Sequence, residues 1–470
     1  MFIPKNLLDP RIDRLSTKDR ERFLWDLWRN QLEYACTSKT PAIRQLMKEN
    51  KLDISDFKNP EDILKFPIVT KRMFREIGHS GFLPEKYRKA LKHGQHNLKD
   101  CEKLHIFPRF TGGTSVRRLS DYTLIRWSNS DWLGAMQSST RAILQQNREI
   151  RFPANAFSNY TFDHIAAPYF TGVIVYNNGS YVPRHPNLSD LDAFNMIKAE
   201  CCDGIISPPA AHQIKGRGLV ELLAGDTDID NPYFTDKRIK LIIVSSTPLT
   251  ERVYQLFERR GIVVKDAGGS TDVGAVLWNC TEDPSVFHSI EGQVLNEVID
   301  RKGYPVGNAK HGLFLCSRIA GVVEADCFLK RLYRNVEAVY NGKAIAEDVS
   351  KRLRNILGRD PSSMSSSELK RVYQGIKSEY EATTRIVPNQ ATQLLRYSGL
   401  MNETQYFSAK DCPCGKNTPK MKGLLRTYDL DGSPEDLAVP AVIETNQAER
   451  TGDISGFHLR LPDGCEVVGR

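Results

Sequence analysis

Short apolar runs alternate with amphipathic stretches along the middle of the chain. Four apolar runs have the length of buried strands. They are Gly172–Tyr176, Gly204–Ser207, Ile239–Val244 and Gly261–Lys265. Helical spacing separates them, as over Thr250–Arg260. Because strand–helix alternation is typical of parallel sheets, the sequence predicts a mainly parallel α/β fold from about residue 105 to 320.

The segments before and after this region have other patterns. Residues 12–50 have helical spacing, and Thr70 follows Pro67 at a position suited to cap a further helix. Residues 292–318 change to short strands around a glycine-containing turn. The chain is therefore predicted to begin with helices and to leave the parallel region through shorter strands.

Residues 321–385 differ from both flanks. Three amphipathic helices are predicted, with a Ser-rich link before the third. They are Cys327–Tyr340, Ala344–Leu357 and Ser366–Thr383. This predicts a peripheral helical insertion that can serve a protein partner or a homodimer contact. The expected domains are a 1–320 core, the 321–385 insertion and a β-rich subdomain over 386–470.

Composition excludes several classes of protein. The 470 residues exceed a single core, and 40% apolar and 26% charged residues are ordinary for a soluble globular protein. The net charge of +8 can attract an anion such as ATP, but no Lys/Arg block is dense enough for nucleic acid. No signal peptide or membrane-length apolar run is present, so a cytoplasmic protein is predicted. The ten scattered cysteines fit a protein without disulfides.

A first candidate site is the glycine-rich turn at Phe110–Arg118. Its small and hydroxyl residues would let backbone N–H groups surround phosphate oxygens, with Arg117 or Arg118 as the neutralising cation. The residues are Thr111, Gly112, Gly113, Thr114 and Ser115. An ordinary turn is the alternative.

A second candidate follows the predicted strand that ends near Lys265, where open α/β sheets bind ligands. It contains Gly268, Gly269, Ser270, Thr271 and Asp272. Thr271 can donate to a phosphate, and Asp272 offers the oxygen ligands that Mg²⁺ prefers. Asp272 is expected to be partly exposed. A strand-to-helix turn with Asp as a cap is the alternative.

A third candidate lies near the end of the chain, at Arg450–Asp453. The Asp453 carboxylate can accept both ribose hydroxyls of a nucleotide, and Arg470 can pair with phosphate or ribose oxygens. A polar β-turn explains the same residues without a ligand.

The order of these segments resembles the adenylate-forming superfamily, which includes acyl-CoA synthetases, and in particular its phenylacetate–coenzyme A ligase branch. Pro67–Lys71 resembles that branch's Pro-Phe-x-Thr-Lys segment, and Ser245–Thr250 resembles its Gly-Glu-Pro-Leu segment. Asp411–Thr418 resembles its Cys-x-Cys-Gly-Arg-Thr signature. The likeness covers the chain except for about 321–385.

This resemblance implies the large N-terminal domain of an adenylate-forming ligase, with stacked, mainly parallel sheets and a small β-rich part. The implied reaction is attack of an aryl or fatty carboxylate on the α-phosphate of Mg·ATP, followed by transfer of the acyl group to coenzyme A. Ser245, Ser246, Thr247, Gly268 and Gly269 would line the adenine. Thr271 would contact the α-phosphate as a catalytic residue, Asp272 would bind Mg²⁺, and Asp453 would bind the ribose.

The resemblance also places Gly469-Arg470 at the hinge before a mobile C-terminal domain. That domain is then expected to be absent from these residues, and nucleotide binding with slow turnover is expected.

Several departures from the family pattern keep other functions open. Gly268 stands where the family usually has an aromatic residue, no Lys follows Ser115 in the phosphate loop, and Arg396-Tyr397 is not followed by the usual Asp. Acyl transfer to a protein or an amine is one alternative. The other is a noncatalytic descendant that binds a nucleotide or a partner protein.

Two further features have less specific patterns. Phe157 and Tyr160 lie in an aromatic run suited to an acyl pocket, or are core residues. Cys412 and Cys414 are candidate zinc ligands, with Cys316, Cys327 and Cys465 as candidate partners. A tight Pro-Cys-Gly turn is the favoured interpretation, because one residue separates the cysteines and no second pair is evident.

Overall fold

The structure is a computed structural model of the whole chain. It describes residues 4–92, 109–111, 123–144, 150–160, 166–185, 188–208, 239–245, 251–270, 272–300, 302–324, 327–345, 347–398, 402–408, 412–427, 458–460 and 466–468.

Helices dominate the N-terminal part and the insertion. In the described part of the chain they are α1 (Thr17–Thr37), α2 (Pro41–Glu49), α3 (Lys71–Ile77), α4 (Glu85–Lys92), α5 (Asn129–Ile143), α6 (Ala166–Tyr176), α7 (Asp190–Ala199), α8 (Glu251–Arg259), α9 (Cys327–Tyr340), α10 (Glu347–Leu357) and α11 (Ser366–Thr383). Short 3₁₀ helices cover Pro10–Arg14, Ile54–Asp56, Pro60–Lys65, His79–Phe82 and Pro361–Ser363.

The strands of the described residues belong to one large sheet and three small ribbons. They are β1 (Arg109–Thr111), β2 (Thr123–Ile125), β3 (Asn155–Ser158), β4 (Ser180–Pro183), β5 (Gly204–Ser207), β6 (Leu241–Ser245), β7 (Val263–Ser270), β8 (Gly274–Asn279), β9 (Val286–Ser289), β10 (Val294–Ile299), β11 (Lys310–Arg318), β12 (Gly321–Val323), β13 (Arg385–Val387), β14 (Asn402–Phe407), β15 (Lys420–Thr427), β16 (His458–Arg460) and β17 (Glu466–Val468).

The large sheet has 11 strands in the order β10-β11-β14-β15-β9-β8-β7-β6-β5-β3-β4. The pairs from β4 to β7 are parallel, and those from β7 to β10 are antiparallel. The predicted α/β class with parallel strands is therefore confirmed. The antiparallel strands β14 and β15, from the predicted β-rich region, extend this same sheet.

Capping side chains begin several helices where the sequence changes from loop to helix. The Thr70 hydroxyl accepts from the Met73 N–H at the start of α3, as predicted. Ser128 and Asp131 form a reciprocal capping box at α5, and Ser365 and Glu368 form another at α11. Local hydrogen bonding thus fixes the direction in which each of these helices leaves its loop.

One strand prediction is wrong. Gly172–Tyr176 was predicted as a strand but forms the last turns of α6, which begins at Ala166. Most of α6 is buried, so its apolar residues have no polar face to reveal a helical period. A short run of apolar residues fits a buried helix and a buried strand equally well.

The predicted insertion consists of helices α9, α10 and α11, close to their expected bounds. Its two ends are joined by the ribbon of β12 and β13, with Gly321 opposite Val387. Stacked tyrosines bind α9 to α11, with ring centroids 4.6 Å apart for Tyr333–Tyr380 and 4.4 Å for Tyr340–Tyr373. The insertion thus leaves and rejoins the core through two paired strands, and its helices pack on one another. Its status as a separate domain stays a prediction.

Two of the four apolar clusters in the described residues contain most of the buried side chains. The larger contains Trp28, Trp127 and Trp278 and continues into the N-terminal helices. The smaller packs Phe157 with Ile242 and Val264 under the parallel strands. Among the described residues, no helix is both long enough and apolar enough to cross a membrane.

Candidate functional site

The carboxyl ends of four parallel strands meet at one edge of the sheet. Each of these strands ends in a serine. They are Ser158 on β3, Ser207 on β5, Ser245 on β6 and Ser270 on β7. From β3 the chain moves outward to β4, whereas from β5 it moves to β6 on the other side. This reversal makes a crevice at the ends of β3 and β5, which is the usual ligand position in open α/β sheets.

Polar side chains bridge this crevice. Asn159 Nδ2 donates to Ser207 Oγ at 2.9 Å, and the Tyr160 hydroxyl donates to the Ser245 carbonyl at 2.7 Å. Arg184 Nη1 lies 2.5 Å from Asn159 Oδ1. Tyr160 is therefore at the ligand edge of the sheet. Phe157 is fully buried in the smaller apolar cluster, which fits the core alternative for that residue.

Asp272 is the central acidic residue of the site. It follows β7 and is only 1% exposed. The Tyr397 hydroxyl donates to its Oδ2 at 2.9 Å, while no hydrogen bond reaches its Oδ1 from the described residues. Burial raises the pKa of Asp272, against the opposing effect of Lys71 and the Tyr397 hydrogen bond. The expectation that Asp272 would be partly exposed is wrong, because Tyr397 and the surrounding strands cover it.

Tyr397 is held by two neighbouring segments. Its N–H donates to the Cys316 carbonyl at 2.8 Å, and the next N–H, of Ser398, donates to the Val69 carbonyl at 3.0 Å. Arg396 forms an ion pair with Glu297 at 3.2 Å. The Pro67–Lys71 segment and the Arg396-Tyr397 pair, both chosen from sequence, therefore converge on Asp272. That Tyr397 itself contacts Asp272 was missed, because only the fold brings them together.

Arg318 is a second buried charge beside this carboxylate. Its guanidinium carbon lies 3.8 Å from the Trp127 ring centroid, and its Nη2 lies 3.8 Å from Asp131 Oδ2. None of its three nitrogens has a hydrogen-bond acceptor among the described residues. Burial lowers the pKa of Arg318 to about 10, so it is charged at neutral pH. A buried guanidinium without acceptors favours an anionic ligand.

The turn after β7 has the close backbone contact expected of its glycines. A Cβ on Gly269 would lie 2.1 Å from the Gly274 carbonyl oxygen, so only glycine fits there. Ser270 Oγ is buried without a hydrogen-bond partner in the described structure. Ser245 Oγ donates to the Ala267 carbonyl at 2.8 Å, which joins β6 to β7 at this edge.

Other predicted site residues are not described at side-chain level. Thr111 ends β1, and Gly268 lies on β7. The positions outside the described residues are Gly112, Gly113, Thr114, Ser115, Ser246, Thr247, Thr271, Asp453 and Arg470. Their roles stay predictions.

The two candidate zinc ligands have different neighbours from those expected. Cys412 and Cys414 lie beside Cys280 and His288. Cys316 instead donates to Asn296 Oδ1 at 3.1 Å. The side chains of Cys327 and Cys465 are outside the described residues. No short spacing joins Cys280 and His288 to the Cys-x-Cys motif, so sequence alone gave no signal for them.

Comparisons with known proteins identify the fold. No protein-family model matches the chain, and no curated protein matches it. Solved structures of 2-hydroxyisobutyryl-CoA ligase match 88% of this chain. One, in the postadenylation state with R3-HIB-AMP, has a TM-score of 0.56 and 11% identity over 68% of its own length. An open form with 2-HIB-AMP and CoA has a TM-score of 0.56 and 12% identity over 76% of its length. The predicted fold is thereby confirmed as that of 2-hydroxyisobutyryl-CoA ligase, while the phenylacetate branch stays a prediction.

Proposed function

We propose that this protein activates a carboxylic acid with ATP and passes the acyl group from the resulting acyl-adenylate to coenzyme A. The fold is that of a ligase solved with an acyl-AMP and CoA. The observation that carries the proposal is the buried pair of Asp272 and Arg318. One is a carboxylate with an unpartnered oxygen, and the other is a guanidinium without a hydrogen-bond acceptor among the described residues. Each of the two charges acts on the pKa of the other.

These residues fit Mg²⁺ and a phosphate chemically. Mg²⁺ takes oxygen ligands, and the unpartnered Asp272 Oδ1 is one. The Tyr397 hydroxyl holds the other carboxylate oxygen, so the orientation of Oδ1 is fixed before a cation binds. When bound, Mg²⁺ would neutralise the charge that develops on pyrophosphate as it leaves.

The protein's own contribution is charge and position. Arg318, Arg75 and Lys71 place positive charge around Asp272. Positive groups fixed in a water-poor site stabilise a phosphoryl transition state without reorganising during the reaction. Tyr160 and Asn159, which are hydrogen-bonded across the strand ends, would position the acid beside the phosphate. Such positioning lowers the barrier, because the two reactants no longer have to meet in solution.

An aromatic acid is the proposed substrate class. Tyr160 is 5% exposed and fixed to β6 by its hydroxyl, so its ring is a rigid wall of the crevice. Such rings contribute apolar contact area with little loss of side-chain freedom. Thr271 as a catalytic residue and Asp453 as a ribose ligand remain parts of the proposal.

The direct test is acid-dependent ATP–pyrophosphate exchange. The purified chain is incubated with Mg·ATP, labelled pyrophosphate and a panel of aryl and fatty acids. Exchange above the acid-free background, strongest with an aromatic acid, is expected. Asp272→Asn is the matched negative control, because it keeps the size of the side chain but removes its charge.

The outcomes separate the competing functions. Exchange followed by acyl-CoA formation supports the ligase, whereas exchange without transfer to CoA favours an amine or protein acceptor. ATP binding without exchange for any acid would favour the noncatalytic alternative, which the glycine at position 268 also favours. Absence of ATP binding by calorimetry would overturn the nucleotide site itself.

A further inference from the structure

Four potential metal ligands meet beside the β8–β9 hairpin. Asp272 precedes β8 and Cys280 follows it, so the two sites are at opposite ends of this strand. Their ligand atoms all lie within 4.8 Å of one another. The ligands are Cys280, His288, Cys412 and Cys414, hereafter the Cys₃His cluster. Cys280, His288 and Cys414 are at most 3% exposed. Three thiols and an imidazole are thus gathered where water is largely excluded.

We propose that the Cys₃His cluster binds one structural Zn²⁺ ion. Cys412 Sγ lies 3.3 Å from Cys414 Sγ and 3.5 Å from Cys280 Sγ, and His288 Nε2 lies 3.2 Å from Cys414 Sγ. Zinc bonds of about 2.3 Å to sulfur and about 2.0 Å to nitrogen place tetrahedral ligands about 3.5–3.8 Å apart. These three separations are within a few tenths of an ångström of the tetrahedral values, and all four ligand atoms lie within 4.8 Å of one another.

The sulfur distances exclude a disulfide as the reason for the cluster. A disulfide has sulfurs about 2.05 Å apart, whereas these are more than 3 Å apart and all three cysteines are free. Three sulfurs and one imidazole are soft ligands of the type that select zinc over magnesium or calcium. Since the protein supplies all four ligands, no coordination position remains for substrate, and the site is structural.

Neighbouring groups orient the ligands before metal binds. His288 Nδ1 lies 3.0 Å from Thr418 Oγ1, which directs Nε2 towards the sulfurs. Hydrogen bonding of this kind fixes the tautomer and orientation of metal-binding histidines. Gly415 has φ +80°, and its N–H donates to the Cys412 carbonyl at 2.9 Å. This tight turn brings both sulfurs of the Cys-x-Cys motif to one side.

The position of the cluster indicates what the zinc would stabilise. Only three residue pairs join β15 to β9, among them Lys420–His288. This short contact connects the strands from β4 to β9 with the antiparallel strands from β15 to β10. The Cys-x-Cys loop also holds the N-terminal segment, because Lys416 Nζ lies 3.2 Å from Asp13 Oδ2. A metal bound to both β8–β9 and the β14–β15 loop would therefore fasten the two parts of the large sheet.

The test measures metal in the full-length protein. The chain is purified without a histidine tag under reducing conditions, dialysed against metal-free buffer and analysed by mass spectrometry of the elements. About one zinc per chain is expected. Replacement by Co²⁺ should give the visible bands of a tetrahedral site with thiolate charge-transfer absorption. Cys414→Ser should lose most of the metal and melt at a lower temperature.

Cys202→Ser is the matched control, since Cys202 is also buried and not in a disulfide but lies outside the cluster. It should retain full zinc content. Thr418→Val tests the orienting group and should weaken zinc binding by about 10–100-fold in a chelator competition.

A second measurement covers the case in which Cys414→Ser does not fold. Wild-type protein is titrated with a mercurial thiol reagent in the presence of a zinc indicator dye. Release of one zinc should accompany reaction of three thiols. Wild-type protein that contains no zinc and shows no thiolate–Co²⁺ absorption would overturn the proposal. Full zinc content in a folded Cys414→Ser variant would do the same.

Discussion

Asp272 shows how a functional requirement conflicts with stability at a single residue. A buried carboxylate loses hydration, and here one of its oxygens gains no hydrogen bond in return. Asp272→Asn removes the charge and keeps an acceptor for the Tyr397 hydroxyl. We predict an unfolding free energy in urea that is unchanged or higher than that of wild type. Exchange activity should fall by about two to three orders of magnitude, because one electrostatic contribution to the transition state is lost.

The companion variant Tyr397→Phe should act in the opposite direction on stability. It leaves the buried Asp272 carboxylate without its hydrogen-bond donor, which costs about 1–3 kcal/mol of unfolding free energy. The double variant should be more stable than the sum of the single effects predicts, since the two residues are in contact. A lower stability for Asp272→Asn than for Tyr397→Phe would contradict this account of the buried charge.

Glu291 gives the protein a pH-dependent stability. It is 2% exposed, its Oε1 lies 3.6 Å from Arg20 Nε, and burial raises its pKa to about 8. The folded state therefore keeps a proton that the unfolded state releases near pH 4.5. The stabilisation is complete below that pH and is lost as pH rises through about 8.

Glu291→Gln removes this titration. The difference in unfolding free energy between variant and wild type should be smallest near pH 4.5. It should grow in favour of the variant by about 1.4 kcal/mol for each pH unit up to about 8. Urea unfolding at several pH values measures this difference in free energy. Glu76→Gln is the control, because Glu76 is an exposed glutamate that forms an ion pair with Arg72. A difference that does not change with pH would show that Glu291 ionises normally in the folded protein.

The residues that sequence identified and those that it missed differ in one physical respect. Asp272 and the glycines beside it follow a strand and a turn, so local pattern is enough to select them. Arg318 and Tyr397 lie on separate segments, and nothing local distinguishes a buried Arg from an exposed one. Cys280 and His288 were missed for the same reason, because their contact with Cys414 depends on the pairing of β9 with β15.

At the scale of elements, burial decided where sequence patterns succeeded. Amphipathic α9 and α11 begin and end at the predicted residues because each has a polar face and a clear helical period. The strand β5 was also found with its correct bounds. The error at α6 arose because its apolar run was short and its one exposed side chain, Val175, is itself apolar and marks no polar face. Register and strand order, which create the crevice at β3 and β5, depend on contacts that no local pattern encodes.

The contact between α5 and β12 gives a prediction at this scale. A Cβ added to Gly321 would lie 2.8 Å from the backbone carbon and oxygen of Ser130. Gly321→Ala should therefore cost about 1–3 kcal/mol of unfolding free energy, because backbone must move to admit the methyl group. Gly375, inside α11, has open space around it and serves as the matched control. Gly375→Ala should stabilise by about 0.5–1 kcal/mol in the same urea titration. Equal effects of the two variants would show that α5 and β12 are not closely packed.

At the scale of the whole molecule, the insertion can be removed because the strands at its two ends, β12 and β13, pair with each other. Val323 and Arg385 are opposite each other in the β12–β13 ribbon, so a two-residue Asn-Gly turn can replace residues 324–384. The main packing lost is internal to the insertion, such as the Tyr333–Tyr380 stack. The hydrogen bonds that Glu324 accepts from Gln137 and Tyr176 are lost as well. The exposed Lys5–Glu381 ion pair is also lost and contributes little. We therefore predict a soluble, cooperatively unfolding protein that still binds ATP by calorimetry.

A longer deletion that also removes β12 and β13 is the control for this experiment. Removal of residues 321–387 takes away the whole β12–β13 ribbon, including the strand that packs on α5 and its fully buried Val322. That variant should be less stable than the one that keeps the ribbon, because the α5 surface loses its cover. If both deletions gave only insoluble protein, residues 324–384 would belong to the folding core. Soluble protein only from the variant that keeps β12 and β13 would place the boundary of the core at this ribbon, where the paired strands already bring the chain ends together.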